Sequence, residues 1–136
     1  MRVETRARAR ALQALYAWEM RGGNDLMKLA AEVWDDLAVS PDERALATSL
    51  VRAVAAHLAD LDSALSDVTT NWRLERIGAI ERSVLRLGAG ELGSKQTPPR
   101  VVIKEAVRLA ERFGSEESAR FVNGVLDAYA RRSGMI

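Results

Sequence analysis

The chain has 136 residues, 48% of them hydrophobic and 29% charged, with a formal net charge of +1; that length suits one domain with a real core and is short for two. There is no cysteine and His57 is the one histidine, which excludes disulfides, thiolate metal sites and a cysteine nucleophile and leaves too little for a histidine-rich metal site. No apolar run approaches the roughly 18 residues of a membrane helix, and none follows the N-terminal arginines as a signal peptide would, so a soluble, cytoplasmic protein without a cofactor is expected.

The charge is unevenly laid out. Residues 1–22 hold five bases against two acids, 24–67 three against nine, 71–96 five against three, and 97–136 seven against five, giving +3, −6, +2 and +2. Such a layout fits two faces for two unlike partners, as well as ordinary solvated surface.

In chain order, the apolar spacing is helical throughout, and the alternating β-branched runs of strands are missing. A first helix is expected from Val3 to Met20, halted by Arg21-Gly22-Gly23, and a second, capped by Asn24, to about Val39. Ser40-Pro41-Asp42-Glu43 combines an N-cap serine, a proline at the first helical position and a glutamate at the third, a full capping box. Periodicity then runs to about Val68, as one long helix or two with a bend. A helix from about Leu74 to Leu92, one from Pro98-Pro99 to Gly114, and one capped by Ser115 and reaching Arg132 complete the chain. The expectation is an all-α fold.

Arg2, Arg6 and Arg10 fall at i, i+4 spacing as one exposed stripe on the first helix, away from Leu12, Leu15 and Trp18. Arginine forks bind phosphates through two hydrogen bonds and release counterions on doing so. Tyr16, at the edge of this arc, either stacks on an unpaired base or packs at the core's rim, whereas Trp18 reads as core. Arg8 lies on the apolar side, one and two turns before Leu12 and Leu15, and so needs a partner. Glu81 and Glu91 offer one, because both lie on the apolar arc of the helix that carries Ile77, Ile80, Val84, Leu85 and Leu92. No nucleophile or histidine-centred constellation accompanies these carboxylates, so no catalytic activity is expected. Phe121-Val122-Asn123-Gly124-Val125-Leu126-Asp127 places Asn-Gly, a turn signal, within a helical pattern. Since glycine costs a helix interior about 1 kcal/mol relative to alanine, close packing or ligand approach is expected at Gly124.

That heptapeptide, with Thr97-Pro98-Pro99-Arg100 and the run from Val102 to Gly114 before it, resembles the C-terminal signature of the NusB family of bacterial transcription antitermination factors. Arg6-Ala7-Arg8 with Ala11 to Tyr16 resembles the family's arginine-rich first helix, and Asn71 to Ile77 and Glu81 to Leu87, followed by Glu91-Leu92, its central block. The resemblance implies two packed helical bundles, six to seven helices, and binding of single-stranded boxA RNA of ribosomal RNA operons together with NusE, a small-subunit ribosomal protein. This pair helps assemble an antitermination complex on RNA polymerase. By the family pattern RNA meets Arg6, Arg8, Gln13 and Tyr16 and the region of Arg120, Phe121 and Asn123, to which the helical stripe adds Arg2 and Arg10; Glu75 and Glu81 are candidates for the NusE surface. Glu4 and Thr5 depart from the family's basic run, Lys104 from its uncharged residue, and Ala89-Gly90 from an aromatic before Glu91. The resemblance also extends to the N-terminal RNA-binding domain of a ribosomal RNA cytosine methyltransferase family, a reading not expected here because the sequence ends at Ile136 without a cofactor-binding domain. The alternative function is a helical protein-interaction module or a homodimer that hides the arginine surface.

Overall fold

The computed structural model describes residues 2–69 and 76–136, and among them the chain forms seven α-helices and no strand. These are α1 (Val3–Met20), α2 (Leu26–Asp36), α3 (Pro41–Ala56), α4 (Leu58–Val68), α5 (Ala79–Ser94), α6 (Pro99–Phe113) and α7 (Glu116–Arg132).

Most helix ends follow from local chemistry. Ser115 accepts a hydrogen bond from the Ser118 amide at the start of α7, and Pro98-Pro99 opens α6, where a missing N–H costs nothing. At α2 the cap is Asp25, not Asn24: its carboxylate accepts from the Lys28 amide at 3.2 Å. Ser40 accepts from the Glu43 amide at 3.5 Å, but only this half of the capping box forms, because the Glu43 carboxylate turns to two arginines of α1. The long run to Val68 is two helices, broken at His57, whose φ of −132° and ψ of 23° are not helical. The fifth helix starts at Ala79 rather than near Leu74, a position outside the described residues: Gly78 is its extended N-cap, and Ile77 is buried without being helical.

α1, α2 and α3 pack on one another as a first bundle, and α4 to α7 as a second. α5 belongs to both. It packs on α1 and α3 as well as on α4, α6 and α7, and every residue from Ser83 to Leu92 is buried. Two glycines permit this close approach: a Cβ on Gly88 would stand 2.7 Å from the Leu126 Cδ1, and one on Gly90 3.0 Å from the Val54 Cγ2. At Gly90 the space beside α5 is filled by Val54 of α3.

A polar cluster joins the two bundles. Glu19 of α1 accepts from Arg82 and, at 3.1 Å, from Arg86, both of α5. Arg86 also grips Asp62 of α4 through two bonds of 2.9 and 3.0 Å and lies over the Trp18 ring, 5.6 Å from its centroid. A guanidinium buried to this degree needs such partners, and the cation–π contact adds to them. No helix among the described residues is long and apolar enough to cross a membrane.

Candidate nucleic-acid interface

The polar arc of α1 is the first part of the candidate site. On a helix advancing 100° per residue, Arg2, Arg6, Arg10, Gln13 and Tyr16 share an arc of about 120°, and Arg8 lies on the other side. The structure shows that this stripe is not a row of independent cations. Arg6 donates from Nε to Glu43 Oε1 at 2.5 Å, Arg10 donates from Nε to Glu43 Oε2 at 3.3 Å, and Arg10 Nη1 donates to Gln13 Oε1 at 3.2 Å. Glu43 is only 8% exposed, while the side chains of Arg6 and Arg10 keep 42% and 31% of their surface in solvent. The carboxylate therefore lies beneath the arginines. The Arg6 bond, assisted by Arg10, holds the Glu43 carboxyl below its usual value despite partial desolvation.

Arg2 stands at the N-cap of α1, highly exposed and 3.6 Å from Glu4. Tyr16 is 37% exposed, at the rim as its place on the helix suggests, while Trp18 is core and donates its indole N–H to the Asn24 carbonyl. The exposed stripe expected from spacing alone is thus corrected at Arg6 and Arg10, which are half-buried and anchored. Nothing in the periodicity of α1 pointed to Glu43. The hint was its place in the first turn of α3, where the capping box gave it a different task.

Arg8 is placed by α5. Its Nε and Nη2 donate to Glu91 Oε1 and Oε2 at 2.9 and 2.6 Å, with both side chains buried. Hydrogen bonding to Glu91 outweighs burial and raises the Arg8 pKa. Of the two expected partners the pair takes Glu91, and the Arg8 fork is occupied inside the fold, so it does not share the solvent-facing arc of Arg6 and Arg10. The pair lines a cavity of about 150 Å³ between α1, α3 and the end of α5, together with Glu4, Leu46, Leu50 and Thr97.

α7 carries the second part. Arg120 and Asn123 are exposed and line a shallow hollow of about 430 Å³ against Val107 and Glu111 of α6. Phe121 is half-buried and faces a different hollow, of about 270 Å³, which it shares with Glu81, Arg76, Ser115, Glu117 and Ser118. Glu81 therefore does not join Arg8. It lies in the first turn of α5 with its carboxylate folded over Gly78, and its Oε2 is buried with no hydrogen-bond partner among the described residues. Glu75 lies outside those residues. α5 packs on both α1 and α7, and so links the two candidate segments.

Gly124 is exposed, and among the described residues nothing lies within 4 Å of where its Cβ would be. Close helix packing, one of the two reasons expected for it, is therefore not seen there, in contrast to Gly88 and Gly90. Gly124→Ala should raise stability by about 0.5 to 1 kcal/mol, through higher helix propensity and a less flexible unfolded chain. Chemical denaturation would check this; a loss of stability would show that the fold itself requires the bare backbone.

Among the described residues no group of three or more His, Cys, Asp and Glu side chains is arranged to hold a metal ion. What the geometry offers is a polar helix face with two anchored arginines, an exposed tyrosine, and an arginine and asparagine on a second helix.

Comparison with known proteins agrees with this architecture. The NusB family profile matches residues 5–131. The transcription antitermination protein NusB of Sorangium cellulosum is 45% identical over 137 residues, covering 100% of this chain and 97% of that protein. That of Anaeromyxobacter dehalogenans strain 2CP-1 is 46% identical over 135 residues, covering 93% and 89%. Among solved structures, antitermination factors NusB and NusE in complex with double-stranded RNA give a TM-score of 0.87 at 32% identity, covering 97% of this chain and 98% of the matched chain. T. maritima NusB gives 0.85 at 33%, covering 94% and 90%. Matches of this identity over nearly the whole length, together with the seven helices in two bundles, show that the chain belongs to the NusB family of transcription antitermination proteins.

Proposed function

We propose that this protein is a transcription antitermination factor that binds boxA-type single-stranded RNA of ribosomal RNA operons together with NusE, and that the pair helps assemble the antitermination complex on RNA polymerase. The observation that carries the reading is the α1 face, where Arg6, Arg10 and Gln13 form one bonded cluster with Tyr16 exposed beside it. Guanidinium groups suit phosphates, and an exposed aromatic ring suits an unstacked base. A structural relative is in complex with NusE and double-stranded RNA, which supports NusE and an RNA as the kinds of partner here. Arg120 and Asn123 on α7 extend the RNA surface, with Phe121 beside them. Glu81, in the first turn of α5, is where we place the NusE contact, with Glu75 as the second candidate. Arg2 adds charge at the helix start, and Arg8 supports the face from within through Glu91.

The test is binding of a boxA-type single-stranded RNA, a scrambled RNA and a duplex RNA, each with and without NusE, over a range of salt. Selective binding that NusE strengthens is expected for the boxA RNA. The double variant Arg6→Ala/Arg10→Ala should lose about 10- to 100-fold in affinity, and its salt slope should flatten by about 1.4, since each phosphate contact on a single strand contributes about −0.7. Equal binding of boxA and scrambled RNA, or none to either, would sink the antitermination reading and favour a helical protein-interaction module or homodimer.

A further inference from the structure

We infer that Glu43, a residue outside the α1 and α7 surfaces, is a positioning residue for phosphodiester binding: it presets the side chains of Arg6 and Arg10 for the RNA backbone. The inference rests on the RNA-binding reading above and names the residue on α3 that organises that site.

The geometry separates two kinds of arginine–carboxylate contact within α1. Glu91 spends both oxygens on one fork, Arg8, and both partners are buried. Glu43 divides its oxygens between two arginines, Oε1 accepting from the Arg6 Nε and Oε2 from the Arg10 Nε. Arg10 Nη1 is steadied in turn by Gln13. The carboxylate is itself fixed, because it sits in the first turn of α3, favoured there by the helix dipole, with its backbone amide bonded to Ser40. α3 thereby holds two long side chains of α1 in place beneath a surface that stays in solvent.

Such an arrangement reduces the cost of binding. An arginine that is disordered before binding loses rotamer freedom when it meets a phosphate, and one that is already held does not lose it again. Glu43 also lowers the local positive charge, which works against phosphate binding. The inference is that positioning outweighs this, since the buried carboxylate lies below the guanidinium groups while the ligand approaches from solvent.

The experiment compares wild type, Glu43→Gln, Arg6→Ala/Arg10→Ala and the triple variant for binding of a labelled boxA-type single-stranded RNA, with melting temperatures recorded for each. Glu43→Gln keeps the size of the side chain and removes its charge. It is expected to weaken binding about tenfold, the scale set by fixing two rotamer-rich side chains in advance. The triple variant should then bind as the Arg6/Arg10 double variant does, because Glu43 has nothing left to position. Unchanged binding by Glu43→Gln would overturn the inference, and tighter binding would overturn it and make the carboxylate a competitor of phosphate. A loss that persists undiminished in the triple variant would also overturn it, by showing that Glu43 acts through the fold. A wild type that binds no RNA overturns the functional reading and this inference with it; a wild type that binds, with Glu43→Gln indistinguishable from it, overturns this inference alone.

Discussion

Glu91→Ala is expected to lower stability by about 3 to 5 kcal/mol, the usual cost of stranding one member of a buried ion pair. In a chain of this size that corresponds to a fall in Tm of about 10 to 17 °C. The penalty arises because Arg8 cannot reach water without disrupting the packing of α1 on α5: it would keep its charge while losing both bonds, of 2.9 and 2.6 Å. Arg8→Met strands the buried Glu91 carboxylate in the same way and should cost a comparable amount. Replacing both by apolar residues of similar volume, Arg8→Met with Glu91→Leu, should recover much of the loss, since the desolvation of both charges is then removed. A thermodynamic cycle by urea denaturation measures the coupling directly. Single-variant losses below about 1 kcal/mol would show that the pair behaves like one at the surface. The same cycle separates folding from binding, for a double variant that folds stably and still binds RNA would confine Arg8 to a structural task.

Trp34→Ala should be nearly as damaging. Trp34 of α2 is 2% exposed and among the largest fully buried side chains, and truncating a buried tryptophan typically costs about 3 to 5 kcal/mol through lost transfer energy and the cavity left behind. Its indole N–H also donates to the Arg10 carbonyl at 3.0 Å, so the ring fastens α2 to the turn of α1 that carries the arginine cluster. Trp34→Phe keeps most of the apolar contact and removes that bond, and should cost about 1 to 2 kcal/mol less than Trp34→Ala. Denaturation of both variants checks the order, and equal losses would assign the residue's contribution to the hydrogen bond. A fall in RNA affinity in Trp34→Phe beyond its loss of stability would further show that the α1 face is positioned from α2 as well as from α3.

Much of this was legible along the chain because it is local. Ser40, Ser115 and Pro98-Pro99 mark helix starts through bonds made within one turn. The apolar periodicity gives all-helical structure because a helix must bury one face. The oddity of Arg8 was also visible, since a charge among apolar positions requires a partner somewhere. Which partner was not visible: Glu81 and Glu91 share an arc of α5 but stand ten residues apart, about 15 Å along the axis. The height at which α1 crosses α5 makes the choice, and no periodicity encodes that height. The same holds for Glu43, whose local role as a capping-box member competes with two arginines that lie 33 and 37 residues away in sequence. Charge-assisted bonds to two guanidinium groups are stronger than one to a backbone amide, so packing redirects the side chain. The glycines divide in the same way. Gly88 and Gly90 are explained by Leu126 and Val54, which tertiary packing brings against α5, whereas the bare surface at Gly124 meets nothing among the described residues. Spacing thus determines which segments are helices and where the charges fall along them, while the resemblance to the family rests on particular residue blocks such as Phe121 to Asp127. The distances between helices, which no local rule contains, decide which arginines are spent inside the fold and which are held at its surface.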